Sequence, residues 1–405
     1  MDVDVLIVGL GPAGASVLYN LSKGFYNGFS ILAIDQRKTP GFPVQCAEFM
    51  PSPDEMSILM PDVIESRTLF HFEDQYISQN TNQITFITPN GKLISTPFKG
   101  YSLKRGLWNN DLIKSSIKGN VEVWNSTSAI KMEGNNVTLL LKGNQKVDVK
   151  AKIIVGGDGV NSRIAQWSGL NETRTSYNFA IVKQHLMTNI LDESYNPENI
   201  LMIFGEKYAP GAYGWVIPKS KNTANVGTGV RVPMLRKDMN ISKALDHLIN
   251  FHPIVKKMLT GAEISETIGG AVPVGLPFKK TVNPVVNSLL IGDACCQVVS
   301  SVGGGIPPSI VAGKIAARSI SNYINNDEPL ISYHQNWTNQ MLSMFKKSFF
   351  IRNFFDQISE GRDSRVQWYM NRLTSKDIDN VVHCRIPWKL SLASTFVRPL
   401  NQIIK

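Results

Sequence analysis

Residues 3–14, VDVLIVGLGPAG, constrain this chain more than any other stretch. An apolar run over residues 5–8 reads as a buried parallel strand, and it ends in Gly9-Leu10-Gly11-Pro12-Ala13-Gly14. That is strand, tight turn and helix start. Gly9 lets the chain leave the strand at unusual dihedrals. Gly11 leaves the backbone bare where a pyrophosphate must approach, and Gly14 lets the helix close on the strand. The N–H groups and dipole of the helix start favour an anion there. Ala13, Val17, Leu18 and Leu21 then recur at helical spacing, and a second apolar strand over 31–34 ends at Asp35. This acid follows the glycines by about 20 residues, where a carboxylate can bind a ribose hydroxyl. The plain alternative is a glycine turn in an ordinary βαβ unit. The second strand and its terminal acid favour a dinucleotide site instead.

The same punctuation occurs twice more. In KIIVGGDGVNSR (152–163) an apolar strand ends in Gly156-Gly157-Asp158-Gly159, with a helix from near Ser162. In VVNSLLIGDA (285–294) a last buried strand ends at Gly292-Asp293, and Gly303-Gly304-Gly305 then opens a helix from about 308 to 324. Between these lie alternating apolar and polar runs, over 68–98 with a Pro89-Asn90-Gly91 turn and over 178–232, that read as antiparallel sheet. Residues 36–53 carry four prolines and a glycine and read as a loop holding Cys46. Helices are expected over 109–116, over 241–260 and through most of the remainder to Lys405. With 405 residues the chain has room for two or three domains, or one large interleaved one. One nucleotide-binding domain is expected from residues 1–65, 100–175 and 283–325, a sheet domain from 66–99 and 176–282, and a mainly helical part from 326–405.

No apolar run is long enough for a spanning helix. The N-terminal run carries Asp2 and Asp4 and no basic flank, so it is not a signal peptide. The cysteines, Cys46, Cys295, Cys296 and Cys384, form no CxxC pair, and the six histidines form no ligand motif. No metal is expected, and a reducing compartment, the cytoplasm, fits. The net charge of +10 suits an anionic membrane surface or acidic substrate as well as a generally basic solvated surface. No nucleic-acid motif accompanies it.

Together, GxGPAG, GGDGVNSR and IGDA resemble the signature set of flavoproteins with the para-hydroxybenzoate hydroxylase fold. The resemblance spans roughly residues 1–320. It implies an α/β chain of the glutathione-reductase type: a Rossmann domain binding FAD, an inserted antiparallel-sheet substrate domain and a helical C-terminal part. It implies that Gly9, Gly11, Pro12, Ala13 and Gly14 take the FAD diphosphate and that Asp35, where the fold more often has glutamate, takes the ribose. It further implies that Arg105 contacts the cofactor and that Asp158 and Gly159 order its loops. Gly292 and Asp293 then lie beside the ribityl region, and the N–H groups from Gly303, Gly304, Gly305 and Ile306 face the flavin.

Three further strings are similar to the geranylgeranyl reductase family: PVQCAEF (43–49), YGWVIP (213–218) and GGGIPPSIVAGKIAA (303–317). The first places Cys46 and Ala47 near the flavin. The second is similar to that family's YxWxFP motif, with Ile217 in place of phenylalanine, and makes Tyr213, Trp215 and Pro218 candidates for substrate contact. The implied activity is reduction of carbon–carbon double bonds in a geranylgeranyl lipid or prenyl diphosphate. An isolated isoprenoid alkene accepts hydride only if a proton reaches the other carbon, so such a site needs an apolar groove, a hydride donor and a proton source. Cys46 suits the last role, since a thiol of ordinary pKa ~8.5 stays protonated when buried in apolar surroundings. A small buried hydrophobe is the plain reading of that cysteine. Core packing is the plain reading of Tyr213 and Trp215, which share one strand face. No second GxGxxG occurs, so electrons are expected from transiently bound NAD(P)H or from a protein such as ferredoxin. Two alternatives stay open: a flavin monooxygenase or halogenase of the same fold, and an electron-transfer flavoprotein serving quinone. The tail over 386–405 mixes Trp388, Phe396 and Ile403 with Lys389, Arg398 and Lys405, which suits either a packed lid or peripheral contact with the inner face of the cell membrane.

Overall fold

The computed structural model describes residues 1–388 apart from 26–27, 65, 173–174, 236–237 and 360–361. β1 (Asp2–Val8), α1 (Pro12–Lys23) and β2 (Ile31–Asp35) form the expected opening unit, with Val5 opposite Ile31 and Val8 opposite Ile34 in parallel register. After a loop come β3 (Phe49–Pro51), α2 (Pro53–Leu59), α3 (Ser66–Leu69) and the hairpin β4 (Ile77–Ile87) and β5 (Leu93–Leu103). α4 (Arg105–Ser116) starts earlier than its apolar pattern suggests. β6 (Val121–Asn125), β7 (Ser128–Glu133), β8 (Asn136–Leu140) and β9 (Lys146–Gly156) follow, and then α5 (Arg163–Trp167).

Next come β10 (Phe179–Thr188), β11 (Asn199–Ile203), β12 (Gly214–Ser220) and β13 (Thr223–Arg231). The helical stretch over 241–260 is two helices, α6 (Ile241–Phe251) and α7 (Pro253–Met258), because Pro253 cannot continue a helix but can start one. β14 (Glu263–Pro273), β15 (Val282–Asn283) and β16 (Ser288–Leu290) precede α8 (Ile306–Asn326), α9 (Ser332–Ser359), α10 (Asp363–Met370) and α11 (Ser375–Val382). The last strand is shorter than expected. Gly292 has φ +62 and turns the chain into a 3-10 helix over Gly292–Cys295, so Asp293 lies beyond the strand.

The strands make two sheets. The first runs β15-β16-β9-β1-β2-β6, with β7 and β8 added beyond β9. β1 pairs in parallel with both β2 and β9, so the chain departs to opposite sides of β1. In such a sheet the crevice at the carboxyl ends of the diverging strands receives ligands. The second sheet runs β14-β10-β13-β12-β11-β4-β5-β3 and is antiparallel except between β11 and β4. It takes in Phe49–Pro51 and all of β5, so it reaches into both flanking segments.

α1 and α8 lie side by side on the first sheet, where a methyl at Gly313 would come 2.4 Å from the Ser16 Cβ. Along Trp215–Ile217 of β12 the side chains alternate between the two faces of the second sheet. Trp215 and Ile217 face the cluster under α9, α10 and α11, whereas Val216 faces the one under α6 and α7. Among the described residues no helix is long and apolar enough to cross a membrane.

Candidate active site

The glycine turn has the steric logic its sequence suggests. Gly9 has φ +90, and a Cβ there would lie 2.5 Å from the Gly157 carbonyl oxygen; one at Gly14 would lie 1.9 Å from that of Gly9. Side chains are excluded at both by neighbouring backbone. A Cβ at Gly11 would meet nothing within 4 Å, so open space lies above that residue. Gly11 caps α1, Pro12 and Ala13 open it, and the helix has neither a side-chain cap nor an acid in its first turn. Close packing at Gly9 and Gly14 with free space at Gly11 fits a diphosphate resting on the helix start.

Gly292 brings the other two segments to the same place. A Cβ there would lie 2.8 Å from the Ala13 Cβ and 3.1 Å from the Ser309 Oγ, so the first turns of α1 and α8 meet around it. The Asp293 Oδ1 lies 3.2 Å from where a Cβ on Gly305 would sit. Gly303, with φ +63, and Gly304 turn the chain toward Gly305, which caps α8; Ile306 begins the helix, again without a side-chain cap. Two uncapped helix starts of this kind supply positive potential at the crevice.

Asp35 accepts the Leu10 N–H on Oδ2 and the Arg37 N–H on Oδ1, each at 2.8 Å. It therefore braces the glycine turn directly. Asp158 has a similar task. Its carboxylate accepts from the Ser162 hydroxyl at 2.6 Å and from the Arg163 and Ile164 N–H groups, and so caps α5 beside the left-handed Gly159. Burial pushes the Asp158 carboxyl up, opposed by these hydrogen bonds. Arg105 opens α4 and is buried, and among the described residues its Nε finds no partner. Asn109, one turn on, donates to the Leu10 carbonyl at 2.8 Å, and among the described residues its own Oδ1 is unpartnered. Buried polar atoms of this kind call for a bound partner, and a dinucleotide in the crevice fits.

The Cys46 loop is fastened across the second sheet. Gln184 on β10 donates to the Cys46 carbonyl at 3.0 Å and accepts from the Trp215 Nε1–H at 3.3 Å. Asn225 on β13 donates to the Ala47 carbonyl at 2.9 Å. Gly227 lies opposite both Trp215 and Gln184, and a Cβ there would come within 2.5 Å of each side chain. Its bareness lets the indole lie across the sheet.

Tyr213 reaches the other way and donates its hydroxyl to the Val302 carbonyl at 2.6 Å, joining the sheet to the glycine loop before α8. Burial raises its pKa, so the phenol keeps its proton. The three strings at Cys46, Tyr213–Trp215 and Gly303 thus converge. Pro218 accepts the Ser102 hydroxyl on its carbonyl and lies at the far end of the same strand.

Beneath Cys46 lies a charged pair that sequence reasoning missed. Glu48 adopts φ +65, and its N–H points at the Cys46 Sγ, 3.1 Å away. Its carboxylate accepts the Arg105 N–H at 2.9 Å and meets the Lys219 ammonium at 2.6 Å. Burial pushes the Cys46 thiol up; the positive charges of Arg105 and Lys219 and the Glu48 N–H oppose this, and the Glu48 carboxylate adds to it. The thiol is held protonated, with donors ready for a thiolate. Nothing in local pattern marks a Glu–Lys pair this distant in sequence.

Aromatic rings continue from this point. Trp215 lies 6.1 Å from Tyr213, Tyr213 lies 6.3 Å from Phe204, Phe204 stacks on Phe355 at 6.3 Å, and Phe355 meets Tyr369 of α10 at 6.1 Å. The cluster also takes in Ala47 and Val302 at its margin. None of the four cysteines is in a disulfide, and Cys295, Cys296 and Cys384 are buried. Of the C-terminal tail, Trp388 is exposed, and residues 389–405, with Phe396, Arg398 and Ile403, lie outside the described part.

Residues 178–272, spanning β10 to β14 and including Tyr213, Trp215 and Gln184, match the geranylgeranyl reductase catalytic domain. The chain is thus similar to the geranylgeranyl reductase family over this stretch. It is 28% identical over 407 residues to a digeranylgeranylglycerophospholipid reductase of Methanocaldococcus jannaschii, covering 97% of each chain. It is 28% identical over 409 residues to another from Methanosphaera stadtmanae, covering 96% of this chain and 97% of that one.

Among solved structures, a geranylgeranyl bacteriochlorophyll reductase-like protein of Thermoplasma acidophilum superposes with a TM-score of 0.81 at 22% identity, covering 98% of this chain and 99% of that one. A flavin-dependent brominase superposes with a TM-score of 0.71 at 15% identity, covering 98% and 99%. These likenesses establish the fold as the type its glycine motifs suggest. The matched domain and these relatives agree with the second resemblance read from 43–49, 213–218 and 303–317.

Proposed function

We propose that this chain is a FAD-dependent oxidoreductase of the geranylgeranyl reductase family that saturates carbon–carbon double bonds in the geranylgeranyl chains of a lipid. The observation that carries the reading is the meeting of the Cys46 loop, Trp215 and Tyr213 beside the glycine loop of α8, at one end of an aromatic row. FAD would be held by Gly9, Gly11, Pro12, Ala13 and Gly14 at its diphosphate. Asp35 and Arg105 would contact it, Asp158 and Gly159 would order its loops, and Gly292, Asp293 and Gly303–Ile306 would line its site. When reduced, it supplies a hydride equivalent.

The remaining chemistry belongs to the side chains. The apolar row takes the isoprenoid and excludes water. Cys46 holds a proton at Sγ and gives it to one alkene carbon, while positive charge grows at the tertiary carbon that accepts hydride. The faces of Trp215 and Tyr213 steady that charge. The thiolate left behind is met by the Glu48 N–H and faces Arg105 and Lys219 until it regains a proton from solvent. Electrons reach the flavin from NAD(P)H or a small electron-carrier protein, and the protein works at the inner membrane surface.

The deciding experiment is anaerobic. Purified holoprotein is reduced, mixed with a geranylgeranyl glycerolipid and followed by mass spectrometry. A pair of hydrogens gained per double bond supports the reading. Oxygen-dependent product, or turnover with quinone and none with alkene, rejects it.

A further inference from the structure

We propose that the outer face of α10, with the tip of the β4–β5 hairpin, docks on an anionic lipid bilayer. The proposal deepens the reductase reading and rests on it for its purpose, since a membrane lipid has to be reached where it lies. Its physical basis is separate.

α10 has two unlike faces. Val366, Tyr369 and Met370 are buried on the inner one, against the second sheet. On the outer one Trp368 is 60% exposed, with the Arg372 guanidinium 3.7 Å from its ring centroid. The hairpin tip is bonded to the same helix end. The Asn90 N–H donates to the Gln367 Oε1 at 2.8 Å, and the Lys92 ammonium donates to the Asn371 carbonyl at 3.1 Å. Leu93, next to Lys92, is 56% exposed. Trp368, Leu93, Lys92 and Arg372 therefore form one patch, with Arg365 a helical turn before the tryptophan and Lys376 beyond Arg372.

The charge around the patch is one-sided. Arg362, Arg365, Arg372, Lys376 and Arg385 are exposed. The acids of the same stretch are buried or half-buried and engaged locally: Asp363 accepts the Glu206 N–H, Asp377 caps α11 with Thr374, and Asp379 lies against His383. Exposed indole and leucine among cations, with no exposed carboxylate among the described residues of 362–385, is the chemistry that seats a protein in a headgroup layer.

An acidic protein would meet the cations but not the apolar anchors. What lies beneath also favours lipid. Tyr369, the neighbour of Trp368, begins the aromatic row that runs through Phe355, Phe204 and Tyr213 to Trp215 at the Cys46 loop. A prenyl chain drawn in under α10 would follow apolar side chains all the way.

The test uses flavin-loaded full-length protein and sedimentation with vesicles of phosphatidylcholine alone or mixed with phosphatidylglycerol. Pelleting is expected with the anionic vesicles only and is expected to weaken as salt rises. Arg365→Gln and Arg372→Gln should each weaken it about fivefold, the ordinary contribution of one basic side chain near an anionic surface. Trp368→Ser should weaken it further. All three should keep flavin absorbance and full activity on detergent-dispersed substrate while losing activity on vesicle-borne substrate. Hydrogen exchange of the wild-type protein with vesicles provides a reading that needs no variant, with protection expected over 363–372 and at the hairpin tip.

No pelleting, pelleting indifferent to the three variants, or protection confined elsewhere overturns the proposal. So does binding of an acidic ferredoxin at this face in place of vesicles. Protein that docks yet leaves dispersed geranylgeranyl lipid unreduced sinks the reductase reading alone, and the opposite pair of results sinks the docking alone.

Discussion

Replacing Lys219 by methionine probes the account of the Cys46 loop at its foundation. Glu48 and Lys219 meet at 2.6 Å with each side chain 12% exposed. Methionine fills similar space, so the main changes are the lost charge and the lost donor to the Leu103 carbonyl. Glu48 keeps the Arg105 N–H but loses its counter-ion. Stripping one partner from a buried pair costs about 3–5 kcal/mol, and the residual exposure and surviving N–H put this site near 3 kcal/mol. Glu48→Gln leaves the ammonium unpaired at a similar cost. The double variant removes both charges, so its cost should fall short of the sum by about 1–3 kcal/mol.

Urea unfolding of the single and double variants measures this coupling. A second assay follows Cys46 alkylation against pH, with Cys46→Ala as background. Lys219 lowers the thiol pKa and Glu48 raises it, so Lys219→Met should move alkylation to higher pH and Glu48→Gln to lower. The sign for stability follows from the same shift. The native thiol titrates above the unfolded one, so the native state binds more protons there and stability falls as pH rises past about 8.5. Lys219→Met should extend that decline to higher pH. Additive costs in urea, or alkylation profiles that move the same way in both single variants, would refute the reasoning.

The remaining expectations concern the crevice and the proton. Gly11→Ala should fold with stability changed by less than about 1 kcal/mol, because its methyl meets open space, yet it should purify with little flavin, read as visible absorbance. Gly14→Ala should lose about 3 kcal/mol in urea unfolding, because its methyl would sit 1.9 Å from the Gly9 oxygen. Tyr213→Phe should cost about 1–2 kcal/mol through the orphaned Val302 carbonyl while retaining flavin. Cys46→Ala should keep its flavin spectrum and lose alkene reduction; undiminished activity would remove Cys46 as proton donor.

Much of the site was legible because its parts are local. The turn at Gly9–Gly14 and the left-handed Gly159 and Gly303 each state a backbone requirement that only a few neighbouring residues impose. Where local rules compete, the expectation slipped. The apolar run over 285–291 reads as a full strand, but Gly292 ends it and puts Asp293 into a 3-10 turn beside Gly305. The strand expected over 152–156 is the end of a longer one, because β8 pairs with its polar first half.

From residue order alone came the three strand–glycine–helix segments and the antiparallel runs between them, because glycine dihedrals, hydrophobic period and short spacings are encoded within a few residues; the flavoprotein fold and the motifs at Cys46, Tyr213 and Trp215 came from resemblance to known families. Only the folded chain decided that Gln184 ties Trp215 to the Cys46 backbone, that Gly227 makes room for the indole, and that Glu48 and Lys219 form a buried pair under the thiol. Those contacts join residues brought together by sheet register and by the seating of one segment on another. Their energy depends on burial, which no residue possesses until its distant neighbours have arrived.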